Sequence, residues 1–144
     1  MSDQTPKPTS KATILIVEDH LETRTFLDLA LADQFVVDAA SDATSALEMA
    51  AQTDYDLLLV DIALRDTMDG IELVEQIRQL PAYADTPFIA MTAHQLRQNR
   101  DEYLDQGFHE FLAKPFYPEE LLETIHELLN DGVPDDYDAT RPNA

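Results

Sequence analysis

Carboxylate, hydroxyl and ammonium side chains follow short apolar runs at four places in the 144-residue chain: Glu18, Asp19, Asp61, Thr92 and Lys114. Carboxylates bind hard divalent cations, whereas a lysine ammonium binds phosphate as a point charge. Because ligands of an open parallel α/β sheet bind outside the carboxyl ends of its strands, residues far apart in sequence can share one crevice. Together these side chains predict a pocket for a metal ion and a phosphate.

The apolar runs predict the strands that position these residues. We expect five strands, at about 12–17, 35–39, 57–60, 88–91 and 108–113. Helical patterns alternate with them, at about 20–32, 42–52, 71–80, 95–106 and 118–129. Because the third run is apolar at every position, it indicates a strand buried on both faces of a parallel sheet. Helices should therefore cover both sides of the sheet.

Composition limits the class of protein. A chain with 44% hydrophobic residues supports one domain, flanked by tails at 1–10 and 131–144 that we expect to be flexible. The net charge of −20 argues against direct nucleic-acid binding, because affinity for DNA comes largely from Lys and Arg. No apolar stretch approaches the roughly 18 residues of a membrane helix, and there are no cysteines. We expect a cytoplasmic protein without membrane insertion.

Four motifs, in this order and at these spacings, resemble the receiver domain of bacterial two-component response regulators: Ile14-Leu15-Ile16-Val17-Glu18-Asp19, Leu59-Val60-Asp61, Met91-Thr92-Ala93 and Lys114-Pro115. The resemblance covers about residues 11–130. It implies a flavodoxin-like (βα)5 fold, a doubly wound parallel sheet with strand order 2-1-3-4-5. It also implies that Asp61 accepts a phosphoryl group from a phosphohistidine of a histidine kinase or histidine phosphotransfer protein.

The resemblance implies a magnesium site in the acidic cluster. Asp19 and Asp61 would bind Mg²⁺ directly, the Ala63 carbonyl would be a third protein ligand, and Glu18 would act through water. Electrostatics gives an independent reason to expect a cation. Two carboxylates about 4 Å apart repel by roughly 4 kcal/mol at an effective dielectric near 20.

Three further residues are expected to act on the phosphoryl group or respond to it. Lys114 would pair first with Asp61 and then with the phosphate, and Thr92 would donate its hydroxyl to a phosphate oxygen. Phe111 stands where the family has its switch aromatic, and an ordinary core phenylalanine fits the sequence nearly as well. The resemblance also suggests a cis peptide bond between Lys114 and Pro115.

Some residues near the motifs have other interpretations. We assign His20 to the start of the first helix, and His94 and His109 to the solvent edge, rather than to metal binding. Arg65 stands where receivers commonly have a proline, and the loop after Asp61 is one residue longer than usual. This departure concerns partner geometry rather than the site itself.

Three functions of different classes fit the sequence. The favoured one is a stand-alone receiver in a phosphorelay, since the segment after Asn130 is too short for an output domain. Such a protein would be a monomer or weak dimer, and it would be no enzyme beyond its own phosphorylation and dephosphorylation. The second is a haloacid-dehalogenase-like phosphatase, disfavoured because Ala63 occupies the position of that family's second acid. The third is a receiver-fold adaptor that works without phosphorylation.

Overall fold

Five parallel strands form one sheet in the computed structural model, which describes residues 11–64, 68–92 and 107–129. The strands are β1 (Thr13–Val17), β2 (Val36–Ala40), β3 (Leu57–Asp61), β4 (Phe88–Thr92) and β5 (Glu110–Ala113). Their order is β2-β1-β3-β4-β5, and every neighbouring pair is parallel. The predicted doubly wound flavodoxin-like order is therefore confirmed, and the strand order reverses beside β1.

Within the described residues, three α-helices connect strands: α1 (Leu21–Leu31), α2 (Ala43–Gln52) and α3 (Gly70–Arg78); a fourth, α4 (Pro118–Leu129), follows β5. The Asp42 side chain caps α2 by accepting the Ser45 N–H at 2.7 Å, as its sequence predicts. A reciprocal capping box between Asp69 and Glu72 starts α3. A short 3-10 helix, Pro81–Tyr83, follows α3. The helix predicted at 95–106 and both predicted tails lie outside the described residues.

Alternate side chains of β1 supply two separate apolar clusters. Leu15 and Val17 pack with buried residues of α2 and α3. Ile14 and Ile16 pack on the opposite face with buried residues of α1 and α4. Residues 57–60 of β3 are all fully buried, which confirms that helices cover both faces. The sheet is thereby packed between two layers of helices.

The strand bounds differ from the predicted ones by one or two residues: β1 and β2 begin one residue later and β5 two residues later, and β2, β3 and β4 each end one residue later. Phe35 belongs to the end of the preceding helical turn, because its N–H donates to the Leu31 carbonyl at 2.9 Å; β2 therefore begins at Val36. At the start of β5, the Phe88 N–H donates to the His109 Nδ1 at 3.2 Å instead of to a strand carbonyl. The His109 N–H also donates to the Phe88 carbonyl at 2.7 Å, and the regular ladder begins at Glu110.

Arg78, the last residue of α3, joins segments near the amino end of β4. Its guanidinium donates to the carbonyls of Tyr83 at 2.7 Å, Thr86 at 2.9 Å and Gly107 at 2.8 Å. The guanidinium carbon also lies 4.0 Å from the centre of the Phe88 ring. Burial lowers the pKa of Arg78 from its ordinary value. No residue pattern in the sequence indicates this role.

Candidate functional site

Glu18, Asp19 and Asp61 come together at the carboxyl edge of the sheet, just beyond β1 and at the last residue of β3. With His20 they form the acid pocket, in which one ligand atom from each of the four residues lies within 4.8 Å of the others. Glu18 is fully buried, and Asp61 is 4% exposed. The predicted convergence of these carboxylates is therefore observed.

Lys114 follows β5 and reaches into the acid pocket. Its Nζ donates to Glu18 Oε1 at 2.7 Å and to Asp61 Oδ2 at 3.3 Å. Burial alone would lower the pKa of Lys114, but its hydrogen bond to Glu18 and the charges of Asp61 and Glu18 raise it overall. The Lys114–Pro115 peptide bond is cis, as predicted.

Backbone contacts hold Asp61 in place. Its Oδ1 accepts the Ala63 N–H at 2.8 Å, so its Oδ1 and Oδ2 contact different partners. A Cβ added at Gly70 would lie 2.5 Å from the Asp61 carbonyl oxygen, hence only glycine lets α3 approach the end of β3 this closely. That the Ala63 carbonyl binds a metal stays a prediction.

His20 also contacts the carboxylates of the acid pocket. This contact was not predicted from the sequence. His20 is the N-cap residue of α1, as predicted, but its Nδ1 also lies 3.2 Å from both Glu18 Oε2 and Asp19 Oδ1. Its backbone N–H donates to the same Glu18 oxygen at 3.1 Å. The signal available in sequence was its position directly after two acids.

Thr92 lies on β4 and Phe111 on β5, and the pairing of the strands places both near the carboxyl end of the sheet. Asp61 pairs with Met91 across the β3–β4 ladder, which places the buried Thr92 one residue further toward the carboxyl edge. Phe111 pairs with Ala90 and packs, partly buried, against the cluster beneath α2 and α3. Their proposed movement stays a prediction.

Of three further residues singled out in the sequence, the structure describes only His109. His94 and Arg65 fall in segments 93–106 and 65–67, which the structure does not describe. His109 is exposed, which agrees with a place at the solvent edge. Its Nδ1 nevertheless accepts the Phe88 N–H, and so it has a structural role in starting β5.

Comparison with known proteins decides the family. The profile described as response regulator receiver domain matches residues 14–126. The chain belongs to this family. The receiver is 35% identical over 123 residues to an uncharacterized 14.6 kDa protein in the sodA1 3′ region of Leptolyngbya boryana, covering 85% of this chain and 93% of that protein. Several other curated relatives are longer, among them the transcriptional regulatory protein ResD of Bacillus subtilis (33% identical over 122 residues), and the receiver spans 12–52% of their length.

Solved structures agree with the fold. The chemotaxis response regulator CheY4 of Vibrio cholerae superimposes with a TM-score of 0.78 at 29% identity, covering 83% of the receiver and 99% of that chain. The receiver domain of the sensor histidine kinase PA1611 from Pseudomonas aeruginosa PAO1, with a magnesium ion coordinated in its active site cleft, gives 0.76 at 30% identity, covering 84% and 99%. Within the described ranges, no helix of the receiver combines the length and the apolar character needed to cross a membrane.

The donor set of the acid pocket fits a hard divalent cation. Its three carboxylates supply oxygen ligands, which Mg²⁺ and similar ions take. The ammonium of Lys114 offsets part of the negative charge of the three carboxylates, because it contacts Glu18 and Asp61. The negative charge that is left favours binding of a cation. As a family, receivers bind Mg²⁺ at such an acidic site.

The remaining repulsion leads to a stability prediction. Asp61→Asn removes one negative charge while keeping the shape of the side chain, so in EDTA it should stabilise the receiver by on the order of 1 kcal/mol. Added Mg²⁺ should raise the melting temperature of the wild type more than that of the variant, by mass action. Thermal unfolding with and without the ion measures both effects, with Asp33→Asn as an exposed control. A lower melting temperature for Asp61→Asn than for the wild type in EDTA would contradict the predicted repulsion among the carboxylates.

Proposed function

We propose that this chain is a stand-alone receiver that accepts a phosphoryl group on Asp61 from a phosphohistidine of a histidine kinase or phosphotransfer protein. The observation that carries the proposal is the placement of a nearly buried Asp61 carboxylate beside the Lys114 ammonium, with Oδ2 and Nζ 3.3 Å apart. The Leptolyngbya relative supports a single-domain protein, because the chain covers 93% of it.

The contacts of Asp61 support its role as the phosphoryl acceptor. Its Oδ1 is held by the Ala63 N–H, and an Asp61 carboxylate oxygen forms a bond to phosphorus as the P–N bond of the phosphohistidine breaks. The electron pair of that bond stays on the donor imidazole, and Asp61 becomes an acyl phosphate. Lys114, already in contact with the carboxylate, then pairs with a phosphate oxygen, and the Thr92 hydroxyl donates to another.

The acid pocket would hold Mg²⁺ during this reaction. Asp19 and Asp61 would bind the ion directly, with the Ala63 carbonyl as a third ligand and Glu18 acting through water. The bound ion supplies positive charge that offsets the charge of the incoming phosphoryl group. Lys114 remains in contact with Glu18, which keeps the only fully buried carboxylate of the acid pocket paired.

An apolar surface beside the acid pocket favours a protein as the phosphodonor. A groove of about 580 Å³ is lined by Glu22, Thr23, Phe26, Lys114, Pro115 and Phe116. The Phe26 and Phe116 rings lie 6.3 Å apart, and Leu21 and Tyr117 are 67% and 76% exposed. Because Lys114 lines both this groove and the acid pocket, a protein seated on the groove could present its phosphohistidine to Asp61.

The output of the receiver would be a change in partner binding. An acyl phosphate on Asp61 would draw the Thr92 hydroxyl inward, and Phe111 would rotate into the vacated space. The affinity for a partner can shift only by the difference between the two arrangements, commonly about 1–3 kcal/mol. The downstream partner would be a protein, since the charge of −20 disfavours nucleic acid.

Labelling with a small phosphodonor tests the proposal. Incubation with acetyl phosphate and Mg²⁺ should add one phosphoryl group by intact-protein mass spectrometry, and Asp61→Asn should stay unlabelled. The control Asp33→Asn changes an exposed aspartate and should be labelled like the wild type. Labelling that persists in excess EDTA would contradict the metal requirement. A wild type that is never labelled would instead favour the phosphorylation-independent adaptor.

A further inference from the structure

His20 adds a nitrogen to a pocket that otherwise offers carboxylate oxygens. Its side chain is 61% exposed, yet Nδ1 faces inward, 3.2 Å from Asp19 Oδ1 and from Glu18 Oε2. The side chain does not cap α1, because no hydrogen bond joins it to a free N–H of the first turn. The position of Nδ1 among the acids therefore has no explanation in the capping of the helix.

The spacing of these atoms suits shared coordination of one ion. Adjacent ligands of an octahedral ion with bonds of about 2.1–2.2 Å lie roughly 3.0–3.1 Å apart. Nδ1 and Asp19 Oδ1 are 3.2 Å apart, and one ligand atom of Asp61 lies within the same 4.8 Å group. Small side-chain rotations would bring the three atoms onto one coordination sphere.

We infer that His20 is a metal ligand of the acid pocket, and that it makes this receiver bind transition-metal dications more tightly than its carboxylates alone would. Imidazole nitrogen favours ions such as Co²⁺, Ni²⁺ and Zn²⁺, whereas Mg²⁺ prefers oxygen. The inference rests on the proposed function only in that both use the same pocket. The inference concerns which metal ion the pocket prefers and does not concern phosphoryl transfer.

Binding through Nδ1 requires that this nitrogen carry no hydrogen. In the metal-free pocket, Nδ1 lies at hydrogen-bond distance from two carboxylates, which favours the tautomer that carries hydrogen there. With a metal on Nδ1, the hydrogen would move to Nε2. The exposure of the imidazole leaves Nε2 free to exchange it with solvent.

Calorimetric titration of the full chain with Co²⁺ and, separately, Mg²⁺ tests the inference. In His20→Ala, Co²⁺ should bind on the order of tenfold more weakly, while Mg²⁺ affinity should stay within about twofold. The visible absorption of bound Co²⁺ should also change, because the nitrogen ligand is lost. His126→Ala is the matched control, since His126 is exposed and packs against Phe35 at the opposite edge of the sheet.

Each outcome decides between the two proposals. Equal Co²⁺ affinity in wild type and His20→Ala would overturn the role of His20 and leave the magnesium site standing. An equal fall for both ions would also overturn it, because His20 would then only position Glu18. If the wild type bound neither ion, the inference and the metal-dependent function would both fail. His20→Asn, which keeps a polar atom but offers oxygen, should lose Co²⁺ preference too, even if His20→Ala proves unstable.

Discussion

Lys114→Met should lower the free energy of unfolding by about 3 kcal/mol near neutral pH, because it leaves a buried carboxylate without its cation. Glu18 is fully buried and accepts from Lys114 Nζ at 2.7 Å. Methionine keeps the length of the side chain but removes the charge. Chemical denaturation of both proteins in EDTA, followed by circular dichroism, measures the loss.

A double substitution distinguishes the energy of the Glu18–Lys114 ion pair from the loss of side-chain packing. Glu18→Gln alone removes the buried charge, so Glu18→Gln with Lys114→Met should be more stable than Lys114→Met by at least about 1 kcal/mol. Loss of stability that is additive over the two substitutions would contradict a coupled pair.

The pH dependence of the loss has a definite sign. The pKa of Lys114 is raised above its ordinary 10.5, because its acidic partners outweigh burial. The stabilisation is therefore fully present below pH 10.5 and is lost as the pH rises through the folded value. The stability difference between wild type and Lys114→Met should stay constant near neutral pH and shrink only in strong alkali. A difference that shrinks near neutral pH would show that Lys114 is not stabilised as the charged form.

Arg78→Met should cost about 3 kcal/mol of unfolding free energy, through lost charge-assisted hydrogen bonds and the contact with Phe88. Arg78→Lys should recover only a small part, because an ammonium cannot reproduce the planar fork that reaches several carbonyls. Urea denaturation measures each variant.

The matched control is Arg24→Met. Arg24 donates to one backbone carbonyl, that of Glu18, at 2.8 Å, and its loss should cost about 1 kcal/mol. An Arg78→Met loss no larger than that of Arg24→Met would contradict the role assigned to Arg78.

The parts that sequence predicted are those with a local or periodic signal. The apolar run 57–60 indicated a doubly buried strand, and Asp42 indicated a helix start, since both depend on nearby residues. The acidic pocket was predictable because parallel strands end at one edge. The convergence of Glu18 and Lys114, 96 positions apart, followed from the fold and the family motifs rather than from spacing alone.

The parts that sequence missed depend on contacts that leave no residue pattern. Arg78 binds backbone carbonyls, which every residue type offers. His20 was assigned to the helix start, and its second contact depends on a turn that aims Nδ1 back toward Glu18 and Asp19. At the start of β5, His109 contacts Phe88 through its ring nitrogen as well as through its backbone N–H, and no sequence pattern indicates the ring contact.

Chemical trapping of the phosphorylated residue is the most direct test of the central claim. Borohydride reduces an acyl phosphate to an alcohol, so treatment after acetyl phosphate and Mg²⁺ should convert the modified aspartate to homoserine. Tandem mass spectrometry of the peptide that ends at Arg65 should locate this change at Asp61 alone, and omission of the phosphodonor should abolish it. Homoserine at another carboxylate, or none despite labelling of the intact protein, would contradict Asp61 as the phosphoacceptor.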